Sequence, residues 1–421
     1  MDAGPLTPKS YRCGTHRLVD PDETVARLRP HLGALGITRL ANVTGLDRVG
    51  VPVVMVCRPN SCSIAVHQGK GLTLAAARAS GLMEAAEVAH GERVVLRRRV
   101  SSYARLSRGA AVVDVARLPR RPNAEVHYRR IPWVQGRDVL TDEPIWVPYE
   151  LVYTRYTAVL RPWRCFEATT NGLASGNCEL EALSHGLCEV IERDGFSRWI
   201  RLPRAAQDRT RLDLATVDDA SNWELIGRFE AADIAVAVWD MTSGNRVPVF
   251  GCQIQDRDVT YQRRVAATWG YGCHPTRGVA LSRALTEAAQ SRLTWIAGSR
   301  DDIGPDTYAR HLAQREVERE RSYLEVRAPT RRFTDVPSFE ADTFEEDVSW
   351  LLGRLTATGI RQVATVDLTL PEFAIPVVRV VVPGLEPGTE PRRQPPRRLS
   401  VTAARRAIQS PRAAARDPAE R

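Results

Sequence analysis

Residues 168–198 read ATTNGLASGNCELEALSHGLCEVIERDGFSR, and the rest of the chain is organised around them. Asn171-Gly172 and Ser175-Gly176-Asn177 open the stretch with turn chemistry. From Cys178 to Asp194 only Gly186 interrupts a helical composition. This predicts a helix with Asn177 as its N-cap and Glu179 and Glu181 in a first turn that favours acids. Leu180, Leu183, Leu187, Val190 and Ile191 recur every three to four residues and make one apolar face. Glu181, His185, Glu189 and Glu192, spaced +4, +4 and +3, line an adjoining face. Carboxylates stacked in this way repel one another unless a cation covers them, and a divalent metal is the simplest cation. The bland alternative is a solvated face bridged to nearby arginines.

The same spacing occurs twice more. Ser80, Glu84 and Glu87 stand at i, i+4 and i+7 in a helical run, as do Arg283, Glu287 and Gln290. A second pattern also recurs three times. NVTGLDRVGVPVVMV (42–56), DMTSGNRVPVFGCQI (240–254) and DLTLPEFAIPVVRVV (367–381) each read [DN]-x-T, a loop, a [VI]-P-V triplet and an apolar run. Each predicts strand, turn, strand, with Pro at a strand start where its missing N–H is tolerated. Repetition at such long separation predicts one fold built of related pieces. Oxygen donors in number, without a His/Cys cluster, suit Mg2+ better than zinc. The glycine-rich turn before the central helix suits an anion such as phosphate at a helix N-terminus.

The chain has 421 residues, enough for a multilayered core. Its longest strictly apolar run, 234–239, is far short of a bilayer span, and the N-terminus has no apolar signal core. The eight cysteines are scattered without a CxxC, which argues against a disulfide framework or a zinc ribbon and makes the cytoplasm the expected location. The net charge of +9 is concentrated in the tail 388–421, where nine Arg face three acids. That Arg/Pro/Ala-rich segment is expected to be disordered; without interleaved aromatics it is a poor nucleic-acid binder. Of 59 basic residues only Lys9 and Lys70 are lysines, so Lys70 in HQGKGLT stands out. It reads either as a turn lysine or as a phosphate contact, although no Walker A pattern is present. Arg283 and Arg292, with Glu287 and Gln290 between them, read as surface residues or as charge-assisted phosphate ligands. His185 fits a packed helix histidine more often than a catalyst.

Along the chain, a helix capped by Asp20 or Asp22 precedes the first strand pair, and a helix over 73–90 follows it. Residues 93–160 read as a mixed sheet region, 200–260 as helix then strands, and 276–298 as the third helix of the acidic type. ARHLAQREVERERSYLEV predicts an exposed charged helix, and FEEDVSWLLGRLTATG a last helix before the final strand pair. The class is α/β or mixed α+β, with one domain over 1–387 and the tail over 388–421.

TNGLASGNxxxEAxxHGLxExIERD, QGKGLTxxxARASGLMEAxE and GYGxHPxxxxALxRALTEAAQSR resemble the three signature regions of YcaO-domain proteins. VTGLDRVGVPVV and IPVVRVVVPGLE are similar to that family's connecting units, and the resemblance runs from about residue 16 to 387. It implies an ATP-binding fold of its own kind, with Mg2+ bridging helix carboxylates and the triphosphate. By motif position, Glu84, Glu87, Glu189 and Glu192 would hold Mg2+. Asn177, Glu181, Ser80 and Lys70 would belong to the nucleotide site, Arg292 would meet the phosphates, and Arg17 and Thr24 would be N-terminal nucleotide contacts. The resemblance names no catalytic side chain in this sequence. It implies addition of a nucleophile to a peptide carbonyl, with ATP phosphorylating the oxyanion so that oxygen leaves as phosphate. A Cys, Ser or Thr of the substrate then gives an azoline, and a sulfide donor gives a thioamide.

Three features depart from the family pattern. Val88 follows Glu87 where E-x-x-E-R is common, Ser243-Gly244-Asn245 replaces a usual Asp, and the chain lacks a PxPxP ending. The last, with the look of residues 9–90, tilts the expectation toward thioamidation of a peptide or protein with a TfuA-like partner. An azoline-forming cyclodehydratase with an E1-like partner, and a non-catalytic peptide- or partner-binding subunit, are the alternatives. A homodimer is a further candidate assembly.

Overall fold

The computed structural model describes residues 6–156, 164–167, 169–258, 265–324 and 329–388. The tail expected over 388–421 lies, apart from Gly388, outside these residues.

The three [DN]-x-T segments are three antiparallel hairpins. They pair Arg39–Asn42 with Val53–Cys57, Ile234–Asp240 with Val249–Asp256, and Ala364–Asp367 with Val377–Val381. The motif acts identically each time. The side chain of Asn42, Asp240 or Asp367 accepts from the N–H of the Thr two residues on, at 3.1, 3.0 and 2.8 Å. The Thr hydroxyl then accepts from the N–H after the Pro, Val53, Val249 or Val377, at 3.1, 3.2 and 3.2 Å. The Pro has no N–H, so the hydroxyl reaches the first donor available beyond it. Replacing Thr369 by Val is expected to cost about 1 kcal/mol, read as a lower urea unfolding free energy. The altered turn Ser243-Gly244-Asn245 keeps its hairpin in register, because Asn245 Oδ1 accepts from Val247 N at 3.0 Å.

Each hairpin gains a third strand that feeds a helix. Val66–Lys70 leads to Leu74–Glu92, Leu173–Ser175 to Glu179–Ile200, and Thr268–Cys273 to Arg277–Ala297. The strands end at Lys70, Ser175 and Cys273; the N-caps Thr73, Cys178 and Thr276 come three residues later in every unit. In the third unit the order is permuted, since its strand and helix precede its hairpin, the helix ending at Ile200 and the hairpin beginning at Ala364. Small residues let strand and helix touch: a Cβ on Gly69 would sit 2.1 Å from Ala77 O, and one on Gly272 2.1 Å from Ala280 O. Each helix is therefore pressed onto its own sheet, and its i, i+4, i+7 stripe faces away from it.

Among its described residues the region 93–160 is not a mixed sheet. Arg99–Ser101, Ile131–Asp138 and Glu143–Pro148 form antiparallel ladders joined to the third hairpin, with only an isolated parallel bridge between Val112 and Trp146. The charged helix breaks in two, Pro305–His311 and Gln314–Leu324, and Tyr323 packs edge-on to Trp239 and Trp269, so it is not wholly solvated.

Candidate functional site

The three stripes meet around one cavity of about 560 Å³. Ser80, Glu84 and Glu87 come from the first helix, Glu189 and Glu192 from the second, and Arg283, Glu287 and Gln290 from the third. Lys70, Asn177, Glu181, Arg17 and Thr24 line it as well. The structure thus brings together every residue singled out above except Arg292.

Arg292 is a correction. Its guanidinium is buried and spent on two carboxylates, Asp47 at 2.8 Å and Asp256 at 2.9 Å, and it does not line the cavity. On the third helix it lies nine residues from Arg283, about 180° round the axis at 3.6 residues per turn. The N-cap is a second correction. Cys178, not Asn177, caps the central helix, its Sγ accepting from Glu181 N at 3.4 Å. Asn177 is drawn instead into the cavity wall, accepting from Thr24 Oγ1 at 3.0 Å and donating to Glu181 Oε1 at 3.1 Å. Asp20, one of the two expected caps, is the N-cap of Pro21–Leu28.

The N-terminal segment forms a strap across this edge. Thr7 N–H and hydroxyl donate to Glu345, and the Lys9 ammonium meets Asp347 at 2.8 Å in a fully buried pair on the helix Phe344–Thr356. From there the strap runs past Cys13, Gly14 and Thr15 into the cavity. Leu18 N donates to Glu181 Oε2 at 2.9 Å, and Arg17 Nε lies 3.6 Å from Glu181 Oε1. His16, His274 and Asp347 offer possible ligand atoms within 4.8 Å of one another beside the strap. Two contacts argue against a metal there. Thr276 N donates to His274 Nδ1 at 3.0 Å, which leaves the other nitrogen of a neutral imidazole protonated, and Lys9 already holds Asp347. The cluster reads as a structural lock.

Carboxylates crowd the cavity. Burial pushes Glu84 and Glu192 up to about 7; it also raises Glu189, and raises Glu87 well above the ordinary range with Glu189 and Glu84 adding repulsion. Glu87 Oε2 accepts from Ser175 N at 2.9 Å, which fixes it toward the second helix. Glu287 differs. Burial would raise it, but Lys70 and Arg193 outweigh that and hold it below the usual range, with Lys70 Nζ at 2.5 Å. His185 is held well below its ordinary value by burial and by Arg283, whose Nη2 donates to its Nε2 at 3.2 Å. A neutral imidazole accepting from a guanidinium is the packed, positioning role expected for this residue.

Two cations were not singled out from the sequence. Arg193 lines the cavity; burial would lower its pKa, but Glu192, Glu189 and Glu287 raise it. Its signal was present, because Glu189-Val-Ile-Glu192-Arg193 completes the E-x-x-E-R pattern that Val88 breaks in the first helix. Arg300, from the loop after the third helix, lies by Glu84 at the end where Val88 leaves a cation missing. Arg379 is a third addition, buried in the strand Val377–Val381 beneath the second helix. It donates to Thr169 O at 2.7 Å, while its Nε and Nη1 have no hydrogen-bond partner among the described residues.

A sequence model of the family described as YcaO cyclodehydratase, ATP- and Mg2+-binding, matches residues 68–386. The chain belongs to the YcaO family. An uncharacterised protein from the tfuA 3′ region of Rhizobium leguminosarum bv. trifolii is 38% identical over 378 residues, covering 88% of each chain. An uncharacterised Mycobacterium tuberculosis protein is 33% identical, covering 89% of this chain and 84% of its own length. The Methanopyrus kandleri YcaO, solved with AMPPCP and Mg2+, superposes with a TM-score of 0.70 at 27% identity, over 90% of this chain and 95% of that one. A heterocyclase solved with substrate and cofactor shares the fold (TM-score 0.75, 21% identity) over 91% of this chain, which spans about half, 54%, of that larger one. As a YcaO protein the chain is an ATP-dependent enzyme of the peptide-modifying class, and Mg2+ is its metal. No helix among the described residues is long and apolar enough to cross a membrane.

The residues present fit such a ligand. Four carboxylates offer hard oxygens on facing helices, and Lys70, Arg193 and Arg283 stand around them as partners for phosphate. Both charge signs are supplied in one cavity.

Proposed function

We propose that this chain activates a peptide-backbone amide with Mg·ATP, and that the product is a thioamide made with a TfuA-like partner and a sulfide donor. The observation carrying the thioamide branch is the relative from the tfuA 3′ region, matched over 88% of both chains. Glu84, Glu87, Glu189 and Glu192 would hold Mg2+, which when bound neutralises charge on the phosphates and polarises the one transferred. Asn177, Glu181, Thr24 and Arg17 would bind and orient the nucleoside end, since Asn177 joins Thr24 to Glu181 and Arg17 lies beside Glu181, with Ser80 at the near end of the first helix's stripe. Lys70, held by Glu287, and Arg193 and Arg283 would take phosphate oxygens by charge-assisted hydrogen bonds. An amide oxygen is a very poor leaving group; converting it to phosphate removes that obstacle, and the nucleophile added to the carbonyl carbon remains.

Lys70→Ala is expected to weaken ATP binding roughly tenfold to a hundredfold and to leave Glu287 without its ammonium partner, as read by calorimetric titration of Mg·ATP. Unchanged affinity would remove Lys70 from the phosphate site. The reaction itself is tested by incubating the chain, a TfuA-like protein, Mg·ATP, sulfide and a precursor peptide, then weighing the peptide. Exchange of oxygen for sulfur supports the thioamide reading. Loss of one water without added sulfur would establish the azoline alternative, and an unmodified peptide with no ATP consumed would leave a binding subunit.

A further inference from the structure

The near-neutral body conceals one strongly basic segment. Between residues 93 and 130 there are eleven arginines and only two acids, Asp114 and Glu125. The segment contains the strand Arg99–Ser101, which pairs with Ile131–Asp138 along one side only; no strand covers its other side among the described residues. Arg97, Arg98, Arg99, Arg105 and Arg130 are all exposed, and none of them makes an ion pair among the described residues. Arg98 and Arg99 instead rest over the rings of Tyr149 and Trp146, at 5.1 and 5.7 Å, which holds their guanidinium planes in place without neutralising them.

The edge is also apolar and chemically open. Val100 is 52% exposed, and Val95 and Tyr128 are each 75% exposed. Tyr128 belongs to the neighbouring segment, where Ala104 N donates to His127 O at 3.0 Å, so it lies beside the strand. Val100 faces Pro132 across the ladder. Proline has no N–H, so the ladder bonds must come from the pairs on either side, and Val100 turns its own N–H and C=O outward. Natural sheets blunt an exposed edge with charge, and here the charge is of one sign only. That makes the edge repellent to another copy of itself and selective for an anionic strand.

We propose that Arg99–Ser101 is a docking edge for an acidic, β-branched extended segment of a polypeptide partner, which adds a strand to the six-stranded sheet with its carboxylates on the flanking arginines. The outward N–H and C=O of Val100 are complementary to another backbone, not to a sugar-phosphate chain. Among the described Phe, Tyr and Trp side chains Tyr128 is the one exposed there, too few for base stacking along a single strand. This surface lies outside the carboxylate cavity, so the inference does not rest on the reaction assigned there.

The test uses the full chain and a fluorescein-labelled alternating Glu–Val peptide, followed by anisotropy at low and high salt. The matching Lys–Val peptide and a uridine oligonucleotide serve as competing probes. The acidic peptide is expected to bind, to weaken as salt rises, and to lose roughly tenfold or more in affinity in Val100→Pro, which removes the outward N–H but no ladder bond. Arg97→Glu combined with Arg99→Glu should abolish binding while keeping the wild-type melting temperature, and serves alone if the proline variant does not fold. Acidic-peptide binding that survives in the variants overturns the proposal, as does binding of the oligonucleotide in preference to the peptide.

Discussion

Glu192→Gln and Glu87→Gln are each expected to abolish productive Mg·ATP binding and yet to make the metal-free protein more stable. Glu192 is 4% exposed, and both carboxyls are pushed upward by burial and by acidic neighbours. At pH 8 an ionised carboxylate in that position opposes folding, and a neutral amide of the same shape does not. Glu87 loses little by the change, because a glutamine oxygen can still accept from Ser175 N. The gain should be on the order of 1–3 kcal/mol for Glu192 and of the same sign for Glu87, seen as a raised melting temperature in EDTA. The loss should be on the order of 10²–10³-fold in ATP turnover, because the metal then lacks one charged ligand and the phosphates lack the metal. Opposite signs in the two readouts separate a built metal site from an ordinary salt-bridged face. A variant that loses stability and keeps Mg·ATP binding would return these residues to a structural role.

This opposition explains why so much of the site could be read from spacing. Buried repulsion is tolerated only where a ligand relieves it, so the acids stand in helical register at 84/87 and 189/192, and the third stripe at 283/287/290 completes the ring. The hairpins were legible for a different reason: Asn42, Asp240 and Asp367 each need a Thr two residues on to close the same local turn, and local chemistry is written in local sequence. What was missed depends on contacts between distant segments. Arg379 stands in sequence as a lone charge within an apolar strand and is a buried cation beneath the second helix. The strap carrying Arg17 is fixed by Lys9 on Asp347, a pair separated by more than three hundred residues. Arg292 had a local warning, since nine residues of helix place it opposite Arg283, but its partners Asp47 and Asp256 come from two different hairpin units. The Cys178 cap was hidden because Asn is the better capping residue by type, and Asn177 is claimed by Thr24 and Glu181.

The second large effect is on pH dependence. Glu84 and Glu192 have folded values of about 7 against an ordinary 4.5, raised first by burial. A carboxyl whose pKa is raised on folding stabilises fully below its unfolded value, and that contribution disappears as pH rises through the folded value. The metal-free protein should therefore lose stability between about pH 4.5 and 7 from these groups. For Glu192 the loss is about 3 kcal/mol at most. Glu84 contributes less, because its side chain is 40% exposed and water screens it. Mg·ATP binding must run the other way: the metal needs the carboxylates ionised, so affinity should rise with pH over the same interval and protons should be released on binding near neutrality. Denaturant unfolding in EDTA at a series of pH values checks the first half; titration calorimetry in two buffers of different ionisation enthalpy checks the second. The two pH profiles share the folded-state titration of these groups, so both should level off at the same upper pH, near 7. If stability in EDTA were flat across the interval while affinity still climbed, the titrating groups would belong to the nucleotide and not to these helices.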